Sequence, residues 1–286
     1  MPPEQIIAEG VEGALGERLL EARPMGGGCI GEVYRAKLSD GTSVVAKVDR
    51  DGESHLEREA HMLRYLREKT ELPLPEVYYS SEALLLMEIM PGTGNLSRAQ
   101  THAGELLAAL HEVTASAYGH ERDTLIGSLS QPNPWTESWI EFFRDHRLLY
   151  LAEVVSEAGK LPANLLGRVE ELARRLGEIL DEPERPALIH GDVWSGNVLA
   201  EGDRITSFLD PAIYHADPEM ELAYICLFGT FGESFFRRYA EIRPIHPGFF
   251  EERRHLYSLY PLLVHVYFFG GHYVDSVEGT LARLGF

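Results

Sequence analysis

The chain has 286 residues, 44% hydrophobic and 25% charged, a balance that supports a sizeable core in one large domain or two lobes. Its 26 basic residues against 45 acidic ones give a net charge of −19, which serves solubility, suits an amine-bearing small substrate and argues against nucleic acid or an anionic membrane as main partner. With only two cysteines the sequence predicts no disulfide framework, and without a signal-peptide pattern at the N-terminus we expect a cytoplasmic protein.

The first third of the chain has the pattern of a small antiparallel sheet with helices. A strong hairpin-turn signal, Asp40-Gly41, separates two stretches of strand periodicity. The predicted elements are a helix over 4–21, strands over 32–38 and 43–48, a helix over 55–69, and strands over 77–79 and 83–90. The Pro-Gly-Thr-Gly sequence at 91–94 breaks this pattern, and we predict a hinge there.

After the hinge, helical periodicity dominates. Helices are predicted over 101–112, 135–152, 166–180, 219–229 and 248–269, with short strands over 187–189, 198–199 and 205–209. This order predicts an α+β protein of two lobes. An N-terminal antiparallel sheet lobe with one main helix would span 1–91, and a larger, mainly helical lobe would span 92–286.

A glycine-rich segment precedes the first predicted hairpin. It fits the motif G-x-G-x-x-G-x-V, and its relevant residues are Gly26, Gly27, Gly28, Gly31 and Val33. Dinucleotide-binding folds use a similar motif, but there it opens a helix, whereas here it continues into a strand. An ordinary glycine-rich turn is the other alternative. We expect a loop that covers phosphates, because glycine lets backbone N–H groups approach them without a Cβ clash.

Lys47 ends an apolar strand fourteen residues after the glycine motif, where a lysine that clamps phosphates is needed. Such a lysine requires a carboxylate partner. Of the two acids on the next helix, Glu59 lies on the apolar side and Glu57 lies farther round, so we prefer Glu59. The adenine edge of a nucleotide is expected against the backbone at the end of the strand predicted over 83–90, at Glu88, Ile89 and Met90.

The run from His190 to Asn197 is the most informative part of the chain. Asp192 lies five residues before Asn197, and Asp210 follows eighteen residues after Asp192. This pattern is typical of phosphoryl transfer, in which the first Asp accepts the proton of the attacking hydroxyl and the other two residues hold Mg²⁺. We expect His190 to support the loop rather than to act as a base.

A further set of residues, some within this loop and some outside it, indicates a narrower group of proteins. They are Trp194-Ser195 within the loop, Asp210-Pro211-Ala212 with Tyr214, Trp135, Trp139, Phe142-Phe143, Arg147-Leu148, His265, Phe268-Phe269-Gly270-Gly271 and Tyr273. With the motifs, they resemble the protein-kinase-like superfamily in its small-molecule branch of aminoglycoside and choline phosphotransferases. Within that branch the chain is similar to the fructosamine (ketosamine) kinase family.

The resemblance implies a protein-kinase-like fold and ATP- and Mg²⁺-dependent phosphorylation of a sugar hydroxyl, at O3, on a ketoamine such as a fructosamine, a ribulosamine or a glycated lysine. Phosphorylation at O3 makes the adduct unstable, which amounts to deglycation repair. Pro218 departs from the family, which usually has an Arg there. No Ala-Pro-Glu activation segment follows Asp210, so we expect a constitutively assembled site and poor activity on folded-protein hydroxyls.

The acceptor end of the site is predicted from acids and aromatic residues. Asp217, Glu219 and Glu221 follow the metal-binding Asp and could face an amine, although Glu219 also suits a helix cap. Trp194 and Trp139 could stack on a sugar ring, with core packing as the alternative for Trp139. Two other functions stay open: a kinase for an aminoglycoside or choline-like compound, and a non-catalytic nucleotide-binding protein. Retention of every motif residue argues against the second.

Overall fold

A computed structural model describes residues 1–26, 32–50 and 55–286, and its first part is an antiparallel sheet with two helices. The elements are α1 (Pro3–Leu15), β1 (Leu19–Pro24), β2 (Glu32–Leu38), β3 (Ser43–Val48), α2 (Leu56–Lys69), β4 (Val77–Ser80) and β5 (Leu84–Glu88). Within these described ranges the strands pair antiparallel in the order β1-β2-β3-β5-β4. The Asp40-Gly41 turn closes the β2–β3 hairpin, since the Thr42 N–H donates to Asp40 Oδ1 at 2.9 Å.

The sheet has two apolar faces because successive strand residues point to opposite sides. One face, which includes Ala46 and Leu86, packs against α1 through Ile7. The other face, with Leu85, belongs to the main core together with Leu63 of α2 and many side chains from the second part of the chain. The apolar core therefore continues from the sheet, through α2, into the helical part.

The predicted hinge at 91–94 is tied to the second part of the chain. Thr93 and Ala200 exchange two backbone hydrogen bonds, of 3.0 and 2.8 Å. The boundary between residues 91 and 92 stays a prediction, because the core crosses it and the hinge is hydrogen-bonded to its neighbour.

The second part is mainly helical and carries three short antiparallel strand pairs, β6–β7, β8–β11 and β9–β10, among its described residues. Its elements are α3 (Gln100–Leu110), β6 (Thr124–Ile126), β7 (Leu129–Gln131), α4 (Trp139–Phe143), a π-helical turn (Arg144–Leu149), α5 (Tyr150–Glu157), α6 (Ala163–Arg174), a 3₁₀ turn (Leu176–Glu178), β8 (Ala187–Ile189), β9 (Val198–Glu201), β10 (Arg204–Phe208), β11 (Tyr214–Ala216), α7 (Glu219–Phe228), α8 (Glu233–Ile242), a π-helical turn (Phe249–Arg253), α9 (Arg254–Phe269) and α10 (His272–Arg283).

The predicted α+β class is confirmed, while several elements differ from expectation. The single helix predicted over 135–152 is wrong, because a π-helical turn divides it where Arg147 enters the core. The Arg147 guanidinium lies 3.8 Å from the Tyr214 ring centre and donates to Asn133 Oδ1 at 2.6 Å. The helix predicted over 4–21 is too long, because α1 ends at Leu15 and β1 begins at Leu19. The sequence analysis also missed the β6–β7 hairpin, β11, α8 and α10. Across the described ranges, no helix combines the length and apolarity needed to cross a bilayer.

Candidate active site

The loop from His190 to Asn197 connects β8 to β9 and turns sharply at Gly191. Gly191 has φ of 85°, and a Cβ there would lie 2.2 Å from the carbonyl oxygen of Ala212. The His190 carbonyl accepts the N–H of Ala212 at 2.7 Å, which ties the loop to the segment after Asp210. His190 itself is fully buried and its Nδ1 lies 3.3 Å from the Asp192 N–H, so it supports the loop as expected.

Asp192 is held by donors on both carboxylate oxygens. The Asn197 amide nitrogen donates to Oδ2 at 2.7 Å, and the Tyr224 hydroxyl donates to Oδ1. Burial raises the pKa of Asp192 to about 7, against the opposing effect of these two donors. At neutral pH the carboxyl therefore lies near the midpoint of its titration, which is favourable for a general base.

Lys47 of the sheet contacts two carboxylates, Glu59 on α2 and Asp210 in the second part of the chain. Its Nζ lies 2.6 Å from Glu59 Oε1 and 2.5 Å from Asp210 Oδ1. Burial disfavours the ammonium, but the two acids outweigh this effect and raise the pKa of Lys47. Burial likewise opposes ionisation of Asp210, yet Lys47 holds the pKa of Asp210 below its usual value. The preference for Glu59 over Glu57 agrees with this geometry, since Glu57 is exposed.

A buried network that the sequence analysis missed holds the loop from His190 to Asn197 in place. The Gly191 N–H donates to Glu221 Oε1 at 2.7 Å, and the other oxygen of Glu221 lies 2.8 Å from His111 Nε2. His111 Nδ1 lies 2.7 Å from the Tyr239 hydroxyl. Glu221 thus fixes the loop rather than facing an acceptor. Glu219 and Glu221 both lie on α7, whose other residues are apolar or aromatic, so the sequence indicates acids that need hydrogen-bond donors but not which of them reaches the loop.

Tyr224 is the other residue that the sequence analysis missed. It lies three residues after Glu221 on α7, so both side chains project from the same face toward the loop. From Tyr224 an aromatic row runs outward through Phe228 and His265 to Tyr273, with ring centres 4.8, 4.7 and 4.9 Å apart in succession. This row, which we call the aromatic row, places apolar ring surface beside Asp192.

Some residues of the glycine-rich loop lie outside the described residues. These are Gly27, Gly28 and Gly31. Gly26 is exposed two residues after β1 ends, and Val33 pairs with Lys47 across the β2–β3 ladder. Glu88 ends β5, where its N–H donates to the Glu76 carbonyl at 2.8 Å. The next two residues are partly buried; they are Ile89 and Met90. Their role in nucleotide binding stays a prediction.

Two expectations for acceptor-binding acids require correction. Asp217 accepts the Tyr257 hydroxyl at 2.5 Å and the Glu219 N–H at 2.9 Å, so it caps α7. Glu219 forms a bidentate pair with Arg253, at 2.6 and 2.7 Å. Both acids are buried, and protein donors engage both oxygens of each. These contacts assign them to holding α7 instead of an amine.

The two tryptophans have opposite environments. Trp139 is 0% exposed and donates through Nε1 to the Tyr257 hydroxyl at 2.9 Å. The expectation that it stacks on a sugar is wrong, because its ring is enclosed by the core. Trp194, on the loop from His190 to Asn197, is 37% exposed. Its ring covers Gly196, and a Cβ at Gly196 would lie 2.3 Å from the ring. Trp194 is therefore available to a ligand.

A family model of fructosamine kinase matches residues 4–285. The chain belongs to this family. It is thus an enzyme, a phosphotransferase with an alcohol group as acceptor. The chain is 37% identical to a protein named probable ketoamine kinase from Synechocystis, and the match covers 98% of this chain and 96% of that one. It is 33% identical to protein-ribulosamine 3-kinase, chloroplastic, from Oryza sativa subsp. indica, over 90% of this chain and 76% of that one.

Solved structures agree with this membership. A crystal structure assigned as a fructosamine-3-kinase from Thermobifida fusca superposes with a TM-score of 0.86 at 30% identity. The superposition covers 97% of this chain and 98% of that one. An aminoglycoside phosphotransferase in ternary complex with AMP-PNP and hygromycin B has a TM-score of 0.66 at 18% identity, covering 100% and 97% of the two chains. The second comparison shows the shared kinase-like fold.

The residues predicted to hold Mg²⁺ offer a suitable donor set. The Asp210 side chain remains 42% exposed beyond its contact with Lys47. The Asn197 nitrogen is engaged by Asp192, which leaves the amide oxygen as the end that could bind a cation. The Leu209 N–H donates to the Asn197 carbonyl at 2.8 Å, so the two candidate ligands are held on adjoining segments. Carboxylate and amide oxygens are the hard ligands that Mg²⁺ prefers, so these residues fit the ion.

Proposed function

We propose that this protein transfers the γ-phosphoryl group of ATP to the O3 hydroxyl of a ketoamine, fructosyl or ribulosyl. The observation that carries the proposal is the contact of the Lys47 ammonium with both Glu59 and Asp210. This contact pairs the phosphate-binding lysine with its helix carboxylate, as an active phosphoryl-transfer site requires. A non-catalytic nucleotide-binding protein would not need it.

In this function, Lys47 would bind the phosphates and the glycine-rich loop would cover them, while Asp210 and Asn197 would hold Mg²⁺. Mg²⁺, when bound, neutralises phosphate charge. The aminoglycoside phosphotransferase that shares the fold was solved with AMP-PNP, an analogue of ATP, which supports a nucleotide as donor. The backbone after β5 would meet the adenine edge.

Asp192 would accept the proton from the O3 hydroxyl as that oxygen forms its bond to the γ-phosphorus and the bond to ADP breaks. Asn197 and Tyr224 hold the carboxylate oxygens, which limits rotation of the base. Glu221 would keep the loop in place through the Gly191 N–H. These residues mainly provide orientation, the largest protein contribution in phosphoryl transfer.

The acceptor is inferred from chemistry around Asp192 and from the relatives. Trp194 and the aromatic row that begins at Tyr224 supply ring surface of the kind that stacks on the apolar face of a sugar. The net charge of −19 favours an amine-bearing ligand. Relatives named ketoamine kinase and ribulosamine 3-kinase support a ketoamine. The O3-phosphate of such an adduct, including glycated lysine, would be unstable, so the reaction would serve deglycation.

The test is an ATP-consumption screen with fructosyl-lysine, ribulosyl-lysine, an aminoglycoside and choline, with and without Mg²⁺. We expect Mg²⁺-dependent turnover with at least one ketoamine and a ³¹P NMR signal coupled to the proton on C3. The isosteric variant Asp192→Asn should lose turnover while still binding ATP. Turnover confined to the aminoglycoside or choline would refute the acceptor assignment, and full turnover by Asp192→Asn would refute the base.

A further inference from the structure

A cluster of two histidines and one glutamate lies where α2 meets the loop before β6. His61 belongs to α2, two residues after Glu59, while His120 and Glu121 belong to the loop between α3 and β6. One ligand atom from each of the three residues lies within 4.8 Å of the others. The cluster uses none of the residues assigned to phosphoryl transfer, and the proposed reaction leaves it without a role.

The distances within the cluster match a tetrahedral metal site. The Nε2 atoms of His61 and His120 are 3.4 Å apart, and His61 Nε2 lies 3.5 Å from Glu121 Oε1. Metal–ligand bonds of about 2.0–2.1 Å at the tetrahedral angle separate neighbouring ligand atoms by about 3.3 Å. The Glu121 side chain is 52% exposed, so it can rotate to complete the third edge.

The Nε2 atom of His120 is directed at the cluster, where its only polar contact within the described ranges is a long one to His61. The residue is 98% buried, and within the described ranges its Nδ1 has no hydrogen-bond partner. Its other ring nitrogen faces His61 at 3.4 Å, a long distance for a hydrogen bond. Tyr65 packs edge-on against the ring at 4.6 Å, which fixes its direction without satisfying its polar atoms. A metal bond to Nε2 would replace this long contact, and Nδ1, on the other side of the ring, would then carry the ring proton.

The charges around the cluster are compatible with a divalent cation. Burial lowers the pKa of His120 to about 4 and also lowers the pKa of His61, so both rings are neutral and able to bind a metal at pH 7. Arg122 lies 3.8 Å from Glu121 and Arg64 also faces His61, and both oppose a cation. Arg122 is 60% exposed, so solvent screens its charge, and Glu121 can turn away from it.

We propose that His61, His120 and Glu121 bind one divalent first-row transition ion, with Zn²⁺ as the best match. Two imidazoles with one carboxylate form a ligand set that Zn²⁺ takes in proteins, and the two imidazoles disfavour Mg²⁺. Three protein ligands leave the fourth position of the ion free, and solvent can reach that position because Glu121 is exposed. Because His61 shares α2 with Glu59, the ion would fasten the helix that orients Lys47 to the loop before β6.

The experiment is calorimetric titration of chelator-treated, full-length protein with ZnCl₂ in buffer that contains excess Mg²⁺. Excess Mg²⁺ keeps Zn²⁺ away from Asp210. We expect one ion per chain. His61→Ala and Glu121→Gln should each weaken binding by roughly tenfold to 100-fold or more, since loss of even an outer-shell partner costs that much. The exposed His272 provides the matched control, and His272→Ala should bind as the wild type does.

Two further readouts distinguish a built site from surface binding. Co²⁺ in place of Zn²⁺ should give the intense visible absorption of a tetrahedral ion in the wild type and lose it in His61→Ala. Zn²⁺ should also raise the Tm of the wild type more than that of His61→Ala. Equal Zn²⁺ affinity in wild type and His61→Ala, or no uptake by the wild type, would overturn the proposal. His61 and Glu121 are partly exposed, so their variants are expected to fold.

Discussion

Replacing Tyr224 by Phe tests whether Asp192 is a base whose titration is set by its surroundings. The change removes one hydroxyl, which donates to Asp192 Oδ1, and keeps the ring that packs against Phe228. That hydrogen bond stabilises the ionised carboxylate and so opposes the rise in pKa that burial causes. The pKa of Asp192 should therefore rise further in Tyr224→Phe.

The magnitude follows from the energy of one hydrogen bond to a charged group. A bond worth ~1.5–3 kcal/mol, at 1.36 kcal/mol per tenfold change in acidity, moves the midpoint from about 7 to roughly 8–9. Only the ionised carboxylate can accept a proton, so activity rises with pH through this midpoint. At pH 7 the ionised fraction falls from about one half to ~1–10%, which lowers activity ~5- to 50-fold, whereas at pH 9 the loss is about twofold or less.

The assay is the pH profile of kcat/KM for the acceptor between pH 5.5 and 9.5, with saturating ATP and Mg²⁺. We expect the rising limb of Tyr224→Phe to lie at higher pH with nearly the same plateau. Tyr79→Phe is the control, since Tyr79 is an exposed residue of β4. A loss of activity by the same factor at every pH would contradict the reasoning, because it would mean that Tyr224 positions the loop without affecting ionisation.

Three further predictions separate structural from catalytic roles. Lys47→Met should abolish turnover and lower the free energy of unfolding by ~1–3 kcal/mol, because the partly buried Glu59 and the 42% exposed Asp210 lose their cation; a wild-type urea midpoint would contradict this. Trp139→Ala should cost ~3–5 kcal/mol in unfolding free energy without changing the KM for the acceptor. Trp194→Ala should raise that KM and leave Tm nearly unchanged. The reverse pattern would show that Trp139 contacts the ligand. Gly191→Ala and Gly159→Ala both place Ala at positive φ, 85° and 69°. Gly159→Ala should lose ~1–2 kcal/mol of stability from the backbone conformation alone. Gly191→Ala should lose more and should also lose kcat, because there the Cβ meets a backbone carbonyl. Equal kcat in the two glycine variants would show that the loop tolerates the clash.

The sequence predicted the local geometry of the site well because spacing controls it. Helical periodicity placed Glu59 rather than Glu57 on the inner side of α2, and strand alternation aimed Lys47 at it. Asp192 and Asn197 lie on one short loop, so five residues of spacing were enough to bring their side chains together. The sheet hairpin could be predicted for the same reason, since Asp40-Gly41 is a local turn signal.

The rest depended on contacts between distant segments, which a single sequence does not reveal. Glu221 binds the Gly191 N–H thirty residues away in the chain, and no local pattern distinguishes it from Glu219. Trp139 lies near the start of an amphipathic segment, where a ligand contact and a core position share one pattern. The π-helical turn follows from the burial of Arg147 against Tyr214, a tertiary interaction that overrides helical periodicity.

The ion pair between Lys47 and Asp210 joins residues 163 positions apart, which has a consequence for how the enzyme folds. Closing so long a chain segment costs conformational entropy that local helices do not pay, so contacts of this kind form late. After dilution from denaturant, far-UV circular dichroism should recover before turnover does. Fragments cut near the boundary between residues 91 and 92 should each lack activity and regain it only when mixed. The active site is therefore expected to be the last part of the enzyme to form.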